Sequence, residues 1–173
     1  MVSRADGQTG GQAVLVLGPR GAEALRVLDE VKDPEVPVLS VVELGIVRAV
    51  EAEDRRVAVT ITPTYSGCPA MKVIEDDVRD ALVHAGFQDI AVKTVYSPAW
   101  STDWIPAPAR EKLRAYGIAP PPPTTADDLV PFGRTVRAVR CPFCGSANTA
   151  LESEFGATAC KSLHVFRSCR QPF

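Results

Sequence analysis

Histidine is scarce in this sequence, because only two of its 173 residues are histidines, His84 and His164. A carboxylate-bridged di-iron centre in a helical bundle uses Glu-x-x-His pairs on its helices, and the sequence contains no such pair. It also has no glycine-rich fingerprint following a strand, which is the usual signature of dinucleotide binding. These absences argue against a di-iron oxidation catalyst and against a nucleotide-dependent reductase.

Strong net charge and long apolar runs are also absent. The formal net charge is −2, so no overall field would attract nucleic acid or an anionic membrane. No apolar run approaches the roughly 20 residues that cross a bilayer. The apolar stretch at residues 13–17 is too short for a secretory signal and lacks a basic region and a cleavage site. We therefore expect a cytoplasmic protein with no membrane or nucleic-acid partner.

Cysteine is present but unevenly placed. The chain has five cysteines, of which Cys68 stands alone and the other four follow residue 140. Cys141 and Cys144 form a Cys-x-x-Cys pair. In a reducing compartment this pattern favours metal binding or reactive thiols over disulfides.

Composition divides the chain into four segments. Residues 1–12 are rich in glycine, glutamine and serine, and we expect them to be disordered. Four consecutive prolines predict a semi-rigid linker at residues 119–129. The linker separates a body, residues 13–118, from a small tail, residues 130–173. The tail is near the size at which a metal or another staple is usually needed for folding.

Apolar periodicity predicts three helices and three strands in the body. The predicted helices are residues 21–33, 69–86 and 106–118, and the predicted strands are residues 45–50, 56–62 and 89–96. This order predicts an α+β fold, in which a small three-stranded sheet carries helices on one face and precedes the tail.

Cys68 is the first candidate functional residue. It precedes Pro69 at the predicted start of the second helix. A thiolate there is favoured by unsatisfied backbone N–H groups and by the helix dipole, and cysteines at such positions often react or bind metals. The alternative is that Cys68 is a small buried residue that fills a corner. The residues alone leave both interpretations open.

Two acids, Asp33 and Glu35, flank Pro34 where the first predicted helix ends. They could serve as oxygen ligands or as acceptors for backbone N–H groups. Taken alone, the pattern favours the structural interpretation, in which Asp33 caps the turn and Glu35 is solvated.

Aromatic residues concentrate in a proline-rich loop that contains Trp100 and Trp104. Large aromatic side chains in such a loop are typical of a contact surface for a partner protein. The alternative is that the rings fold back and cover the edge of the sheet.

Three stretches together carry a family resemblance: DPEVPVLSVVELGIVRAV, TPTYSGCPAM and VYSPAWSTDWIPAPAREKLRAYGIAPP. The body resembles the small domain of iron–sulfur cluster assembly and maturation factors. Over about residues 21–169, the chain resembles the D subunits of the phenylacetyl-coenzyme A ring epoxygenase of aerobic phenylacetate catabolism. The resemblance implies that Cys68 handles iron or iron–sulfur clusters, with Asp33 and Glu35 near it. It also implies partners, namely the di-iron and the iron–sulfur reductase subunits of the epoxygenase.

The tail has the form of a small zinc ribbon. Its Cys141-Pro-Phe-Cys144-Gly145 stretch predicts a knuckle that directs two sulfurs at one point, with the glycine permitting close backbone approach. A structural zinc site needs four ligands. Three thiols have suitable spacing: Cys141, Cys144 and Cys169.

The fourth zinc ligand is uncertain from the sequence. The family pattern has a cysteine at position 166, where this chain has Phe166. Cys160 or His164 could replace it. A site with three protein ligands and water, a weak site or an empty ribbon remain alternatives.

We therefore expect an accessory subunit that assists iron or iron–sulfur maturation of its partners. Two chains that each contribute one thiol could share a cluster as a homodimer. A scaffold that docks partner subunits without metal transfer is the main alternative. A thiol-redox enzyme with Cys68 as its nucleophile is a further one.

Overall fold

The computed structural model describes Ser3 and Arg4 and residues 13–122, 139–158, 160–167 and 170–173. The chain divides into two compact units, residues 1–109 and 110–173. The first contains a five-stranded sheet and the second a two-stranded sheet.

The sheet of the first unit mixes parallel and antiparallel neighbours. Its strands are β1 (Ser3–Arg4), β2 (Leu15–Leu17), β3 (Val47–Glu53), β4 (Arg56–Ile61) and β5 (Asp89–Thr94). They lie in chain order across the sheet. β1 and β2 are antiparallel, as are β3 and β4, whereas β2 and β3 are parallel, as are β4 and β5.

Each parallel pair is joined by a crossover helix, as parallel strands require. Helix α1 (Gly21–Asp29) joins β2 to β3, and helix α2 (Met71–His84) joins β4 to β5. Both helices contact the sheet and contact each other, so they lie on the same face. The predicted α+β fold with helices on one face is therefore confirmed.

The core lies between this helix layer and the sheet. Ile74, Val78 and Leu82 recur every four residues on α2 and are at most 1% exposed, which is the apolar stripe of an amphipathic helix. The facing residues of β4 alternate, with Val57, Val59 and Ile61 all buried. Burial of these two complementary patterns holds α2 against the sheet.

The sheet is larger than the three strands predicted from the sequence. β2 comes from the apolar stretch at residues 13–17, and its three residues are too few to show alternation. Within the segment expected to be disordered, Ser3 and Arg4 pair with β2, and the other residues of that segment lie outside the described part of the chain. Strand pairing across the sheet, which local pattern does not reveal, accounts for the difference.

The helices are shorter than predicted, and the β3–β4 hairpin is tighter. Helix α1 ends at Asp29 and α2 begins at Met71. β3 continues through Glu53, so only Asp54 and Arg55 separate it from β4, although a longer polar loop was expected. Asp54 adopts a φ of 50°, a conformation that aspartate tolerates in turns.

The second unit contains a small ribbon. Strands β6 (Thr149–Ser153) and β7 (Leu163–Phe166) form an antiparallel pair. The last residues return along β7, because the N–H groups of His164 and Phe173 each donate to the other's carbonyl at 2.9 Å. Helix α3 (Ala107–Ala115) spans the boundary between the two units.

The predicted linker falls mostly outside the described part of the chain, which omits residues 123–138. The domain boundaries drawn from the sequence therefore stay predictions. Among the helices that the structure does describe, none combines the length and the apolar character needed to cross a membrane.

Candidate functional site

One end of the first unit's sheet, here called the loop end, gathers the loops that carry the predicted site residues. β3 begins where antiparallel β4 ends, since Val47 pairs with Ile61. β4 and β5 end together, since Ile61 also pairs with Thr94. The loops that enter β3 and leave β4 and β5 therefore lie at this end, and they carry Asp33 and Glu35, then Cys68, then Trp100 and Trp104.

Asp33 caps the turn that follows α1. Its side chain is buried, with 5% exposure, and its Oδ1 accepts hydrogen bonds of 2.8 Å from the N–H groups of Glu35 and Val36. Its own N–H donates to the Leu39 carbonyl at 3.1 Å. The structure therefore brings Asp33 and Glu35 together in one turn and gives Asp33 Oδ1 a capping role.

A second buried polar cluster, which the sequence analysis missed, fixes the next part of this loop. The Ser40 N–H donates to Glu43 Oε2 and the Glu43 N–H donates to Ser40 Oγ, both at 3.0 Å. This reciprocal pair is a capping box, and its Ser-x-x-Glu signature is readable from sequence. Ser40 Oγ also donates to Asp29 Oδ1 at 2.5 Å, which ties the loop to the end of α1.

Cys68 lies just before α2 and is half-buried. Its N–H donates to the Tyr65 carbonyl at 3.2 Å, and its carbonyl accepts from Met71 N–H at 3.4 Å. Because residues 68–71 form this turn, Pro69 precedes the helix and does not occupy its first turn as predicted. The residue at the helix start, Ala70, has no side-chain acceptor and makes no side-chain cap.

An uncapped helix start leaves backbone N–H groups oriented toward the preceding loop. The first turn of α2 also contains no acidic residue, so no carboxylate in that turn competes for the positive end of the helix dipole. These two features are compatible with the environment predicted for the Cys68 thiol. Its role in binding iron stays a hypothesis.

Trp100 and Trp104 both contact their own domain. The Trp100 indole N–H donates to the Leu44 carbonyl at 2.8 Å. A Cβ atom on Gly45 would lie 3.1 Å from Trp104 Cβ and 3.8 Å from Trp100 Nε1, and Gly45 has a φ of 72°, so glycine suits this position in both space and conformation. Both tryptophans are half-buried, as expected if the loop folds back onto the sheet.

The backbone of the predicted knuckle in the second unit forms a tight turn. The Gly145 N–H donates to the Cys141 carbonyl at 2.8 Å and the Cys141 N–H donates to the Ser146 carbonyl at 2.9 Å. Gly145 has a φ of 73° and no described atom within 4 Å of an added Cβ. The left-handed conformation favours glycine here, and the predicted close backbone approach stays a prediction.

The two thiols of the knuckle differ in exposure, since Cys141 is buried and Cys144 is exposed. The knuckle lies at the Phe166 end of the ribbon. Thr149 pairs with Phe166, and the Thr149 Oγ1 donates to the carbonyl of Val139, just before the knuckle, at 2.6 Å. Cys169, the third predicted zinc ligand, lies outside the described residues.

Cys160 lies away from the knuckle, in the connection between β6 and β7. That connection is at the opposite end of the hairpin from Phe166. Cys160 is exposed, and its Sγ lies 3.2 Å from Thr158 Oγ1. This arrangement does not support Cys160 as the fourth zinc ligand.

His164, the other candidate, is buried on β7 with 7% exposure. Its Nε2 lies 3.0 Å from Ser162 Oγ, and its ring stacks on that of Phe173 with 5.6 Å between centroids. Burial lowers the pKa of His164, so the ring favours the neutral form.

The donors on the described residues fit part of a zinc site. Within that part of the chain, no three His, Cys, Asp or Glu side chains converge to hold a metal ion. Cys141 and Cys144 would supply half of a tetrahedral set. Phe166, at the position where the resemblance predicts a cysteine, is buried with 7% exposure.

Comparison with known proteins identifies the family. Models described as "Iron-sulfur cluster assembly protein" and "PaaD zinc beta ribbon domain" match residues 22–94 and 126–173. An Escherichia coli (strain K12) protein, named as the D subunit of a "Putative 1,2-phenylacetyl-CoA epoxidase", is 43% identical over 155 residues, which are 90% of this chain and 91% of that protein. The chain belongs to the family of phenylacetyl-CoA epoxidase D subunits.

Two further comparisons each cover about half of this D-family chain. The Bacillus subtilis (strain 168) protein named "Fe-S protein maturation auxiliary factor YitW" is 38% identical over 78 residues, 44% of this chain and 76% of that protein. The crystal structure of a domain of unknown function from Bacillus anthracis has a TM-score of 0.50 and 30% identity, covering 53% of this chain and 89% of that one. The predicted resemblance to both the epoxygenase D subunits and the iron–sulfur maturation factors is therefore confirmed.

Proposed function

We propose that this chain is an accessory subunit of a phenylacetyl-CoA epoxygenase that assists maturation of iron or iron–sulfur centres in its partner subunits. The observation that carries the proposal is the half-exposed Cys68 at the uncapped start of α2, at the same end of the sheet as the Asp33–Glu35 turn. Similarity to a protein named as an iron–sulfur maturation auxiliary factor supports this role.

The site residues would divide the work as follows. Cys68 would bind the iron or cluster as cargo, because a thiolate is a soft ligand suited to iron–sulfur centres. Asp33 would act structurally, since its Oδ1 already holds two backbone N–H groups. Glu35 would be the carboxylate that approaches the cargo. Because each chain offers one such thiol, two chains would share a bridging cluster as a transient homodimer.

A structural zinc ion would stabilise the tail. Cys141 and Cys144 form a knuckle, and Cys169 would add a third thiolate. Zinc bound there would contribute its binding free energy to folding of the small ribbon. We also propose that the ribbon, the proline-rich linker and the body act as separate domains, as the composition predicts, and that the protein works in the cytoplasm.

Growth on phenylacetate tests the accessory role. A bacterial strain that lacks its own D subunit should grow on phenylacetate as sole carbon source when this chain is supplied, and the epoxygenase subunits should copurify with it. The Cys68→Ala variant should still copurify with them but fail to support growth. A Cys160→Ala variant is the matched control, because Cys160 is an exposed thiol outside the proposed site. Normal growth with Cys68→Ala would contradict the maturation role.

A scaffold without metal transfer is the second candidate. It would use the Trp100–Trp104 loop, whose rings are only half-buried and whose neighbour Tyr96 is 65% exposed. In that case Cys68→Ala would be silent, whereas Trp104→Ala would weaken copurification of the epoxygenase subunits. Loss of growth in Cys68→Ala, together with unchanged copurification in Trp104→Ala, would exclude the scaffold.

A further inference from the structure

Two arginines of the first unit stack on aromatic rings, and they differ in how their charge is balanced. Arg20 lies 4.3 Å from the ring centroid of Phe87, and it donates to both carboxylate oxygens of Glu23 at 2.7 and 2.6 Å. Arg48 lies 3.8 Å from the ring centroid of Trp104. Among the described residues it has no ion-pair partner, although part of its guanidinium is buried.

Arg48 and Thr62 each have a side-chain polar atom without a hydrogen-bond partner among the described residues. Arg48 Nη1 and Thr62 Oγ1 are the two buried side-chain polar atoms that find no hydrogen-bond partner among the described residues. Thr62 is 1% exposed. Buried polar groups in folded proteins are nearly always paired with protein, water or ligand, because an unpaired one loses its hydration without compensation. Both atoms therefore lack the partner that such groups ordinarily have.

The sheet geometry places these side chains on one face. The pairing of β3 with β4 shifts between Val47 and Ala49, which makes Arg48 the extra residue of a β-bulge. Val47 and Ile61 are paired and buried in the core. Because side chains alternate along a strand, Arg48 and Thr62, which follow them in sequence, project to the opposite face from the helices. Bulges of this kind commonly redirect a side chain beside a functional site.

The two residues are also near each other along the sheet. The Thr62 N–H donates to the Ile46 carbonyl at 2.9 Å, so Thr62 lies opposite Ile46, two positions before Arg48. Diagonal neighbours of this kind are about 7–8 Å apart at their backbones, which a long arginine side chain readily spans.

We propose that Arg48 and Thr62 form a binding site for a small oxyanion on the outer face of the sheet, beneath the Trp104 ring. The guanidinium uses its flat face against Trp104, which leaves its in-plane N–H groups available to an acceptor. The Thr62 hydroxyl supplies a second donor.

The charge of the site selects its ligand class. Arginine stays protonated in proteins, and burial lowers the pKa of Arg48 without an offsetting effect from any carboxylate. An anion would compensate the charge, whereas a cation would be repelled. Both unpaired atoms are shielded from solvent, so small anions are the probes to use. Acetate, phosphate and sulfate are small and carry acceptor oxygens.

Tryptophan fluorescence gives a direct test, because the chain contains only two tryptophans. In a Trp100→Phe chain the signal comes from Trp104 alone. Titration with sodium acetate, phosphate or sulfate, at an ionic strength held constant with sodium chloride, should give a saturable change. Loss of the charge-assisted bond in Arg48→Met should weaken the apparent affinity by about tenfold or more. Thr62→Val should weaken it by about threefold to tenfold.

Two controls separate this site from general salt effects and from the proposed maturation role. Arg20→Met removes the other stacked arginine and should leave the titration unchanged. Cys68→Ala should also leave it unchanged, because the proposed donors are the Arg48 guanidinium and the Thr62 hydroxyl and not the Cys68 thiol. Should Arg48→Met fail to fold, Thr62→Val decides the question. The proposal is overturned if no probe anion gives saturation, if Thr62→Val titrates like the parent chain, or if Arg20→Met weakens the titration as much as Thr62→Val does.

Discussion

The guanidinium carbon of Arg48 lies 3.8 Å from the ring centroid of Trp104. This contact joins the bulge of β3 to the loop that follows β5, and the Trp100–Leu44 hydrogen bond joins the same loop to the segment that precedes β3. The aromatic loop is therefore held by its own domain at two points. Any partner that used Trp104 would meet a ring already stacked on a cation.

The first prediction concerns that stacked pair. Truncation of half-buried Trp104 to alanine should lower the free energy of unfolding by about 2 kcal/mol, since less area is lost than for a fully buried tryptophan. In a double-mutant cycle with Arg48→Met, measured by urea denaturation, the coupling energy should be about 0.5–2 kcal/mol. Strictly additive effects would contradict a stabilising cation–π contact.

The second prediction separates the two acids of the loop end. Asp33→Ala should cost about 1–3 kcal/mol of stability, because it leaves the N–H groups of Glu35 and Val36 without their acceptor. Glu35→Ala should cost less, since Glu35 joins the turn through its backbone. Thermal unfolding of both variants provides the measurement. An equal loss in the two would show that the Glu35 carboxylate also holds the turn.

The third prediction follows from the lowered pKa of His164. Burial lowers this pKa below the ordinary value of 6.5, so the unfolded chain binds a proton near pH 6.5 that the folded tail does not. Stability of the tail is therefore fully present above this pH and falls as the pH falls toward the folded pKa. An NMR pH titration of the His164 ring in a His84→Gln chain should give a midpoint below 6.5. A midpoint at or above that value would contradict the burial argument.

The fourth prediction concerns zinc in the tail. The purified parent chain should contain about one zinc ion, and Cys141→Ser should lose it, because Cys141 is a thiol of the knuckle. Cys160→Ser should retain zinc, since Cys160 lies at the other end of the hairpin. Elemental analysis of the three proteins decides the matter. Sub-stoichiometric zinc in the parent, or zinc loss in Cys160→Ser, would contradict this ligand assignment.

Long helices and strands of this chain were predictable, because burial of one face makes apolar residues recur at regular spacing in the sequence. The spacing of Ile74, Val78 and Leu82 predicted α2, and the alternation of Val57 and Val59 predicted β4. β2 was missed because three residues cannot display a period, and its strand identity comes from pairing with β3. The return of the last residues along β7 was missed for the same reason.

The candidate site was predictable in part. Cys68, Asp33 and Glu35 were recognisable from residue type and position, and the Ser40–Glu43 capping box was readable but overlooked. The bulge at Arg48 depends on the register in which β3 and β4 pair, and the residue pattern of either strand alone does not reveal that register. The packing of Trp100 and Trp104 likewise depends on Gly45, more than fifty positions earlier in the chain.

The metal content of the partner subunits tests the central claim most directly. The di-iron and reductase subunits would be purified anaerobically from four cell lines. Three contain the parent chain, Cys68→Ala or Cys160→Ala, and the fourth contains no form of this chain. Iron and acid-labile sulfide would then be measured in each partner. The account predicts that Cys68→Ala lowers the iron or sulfide content of a partner to the level found without this chain, whereas Cys160→Ala matches the parent. Partners with full iron and sulfide in the presence of Cys68→Ala would contradict it.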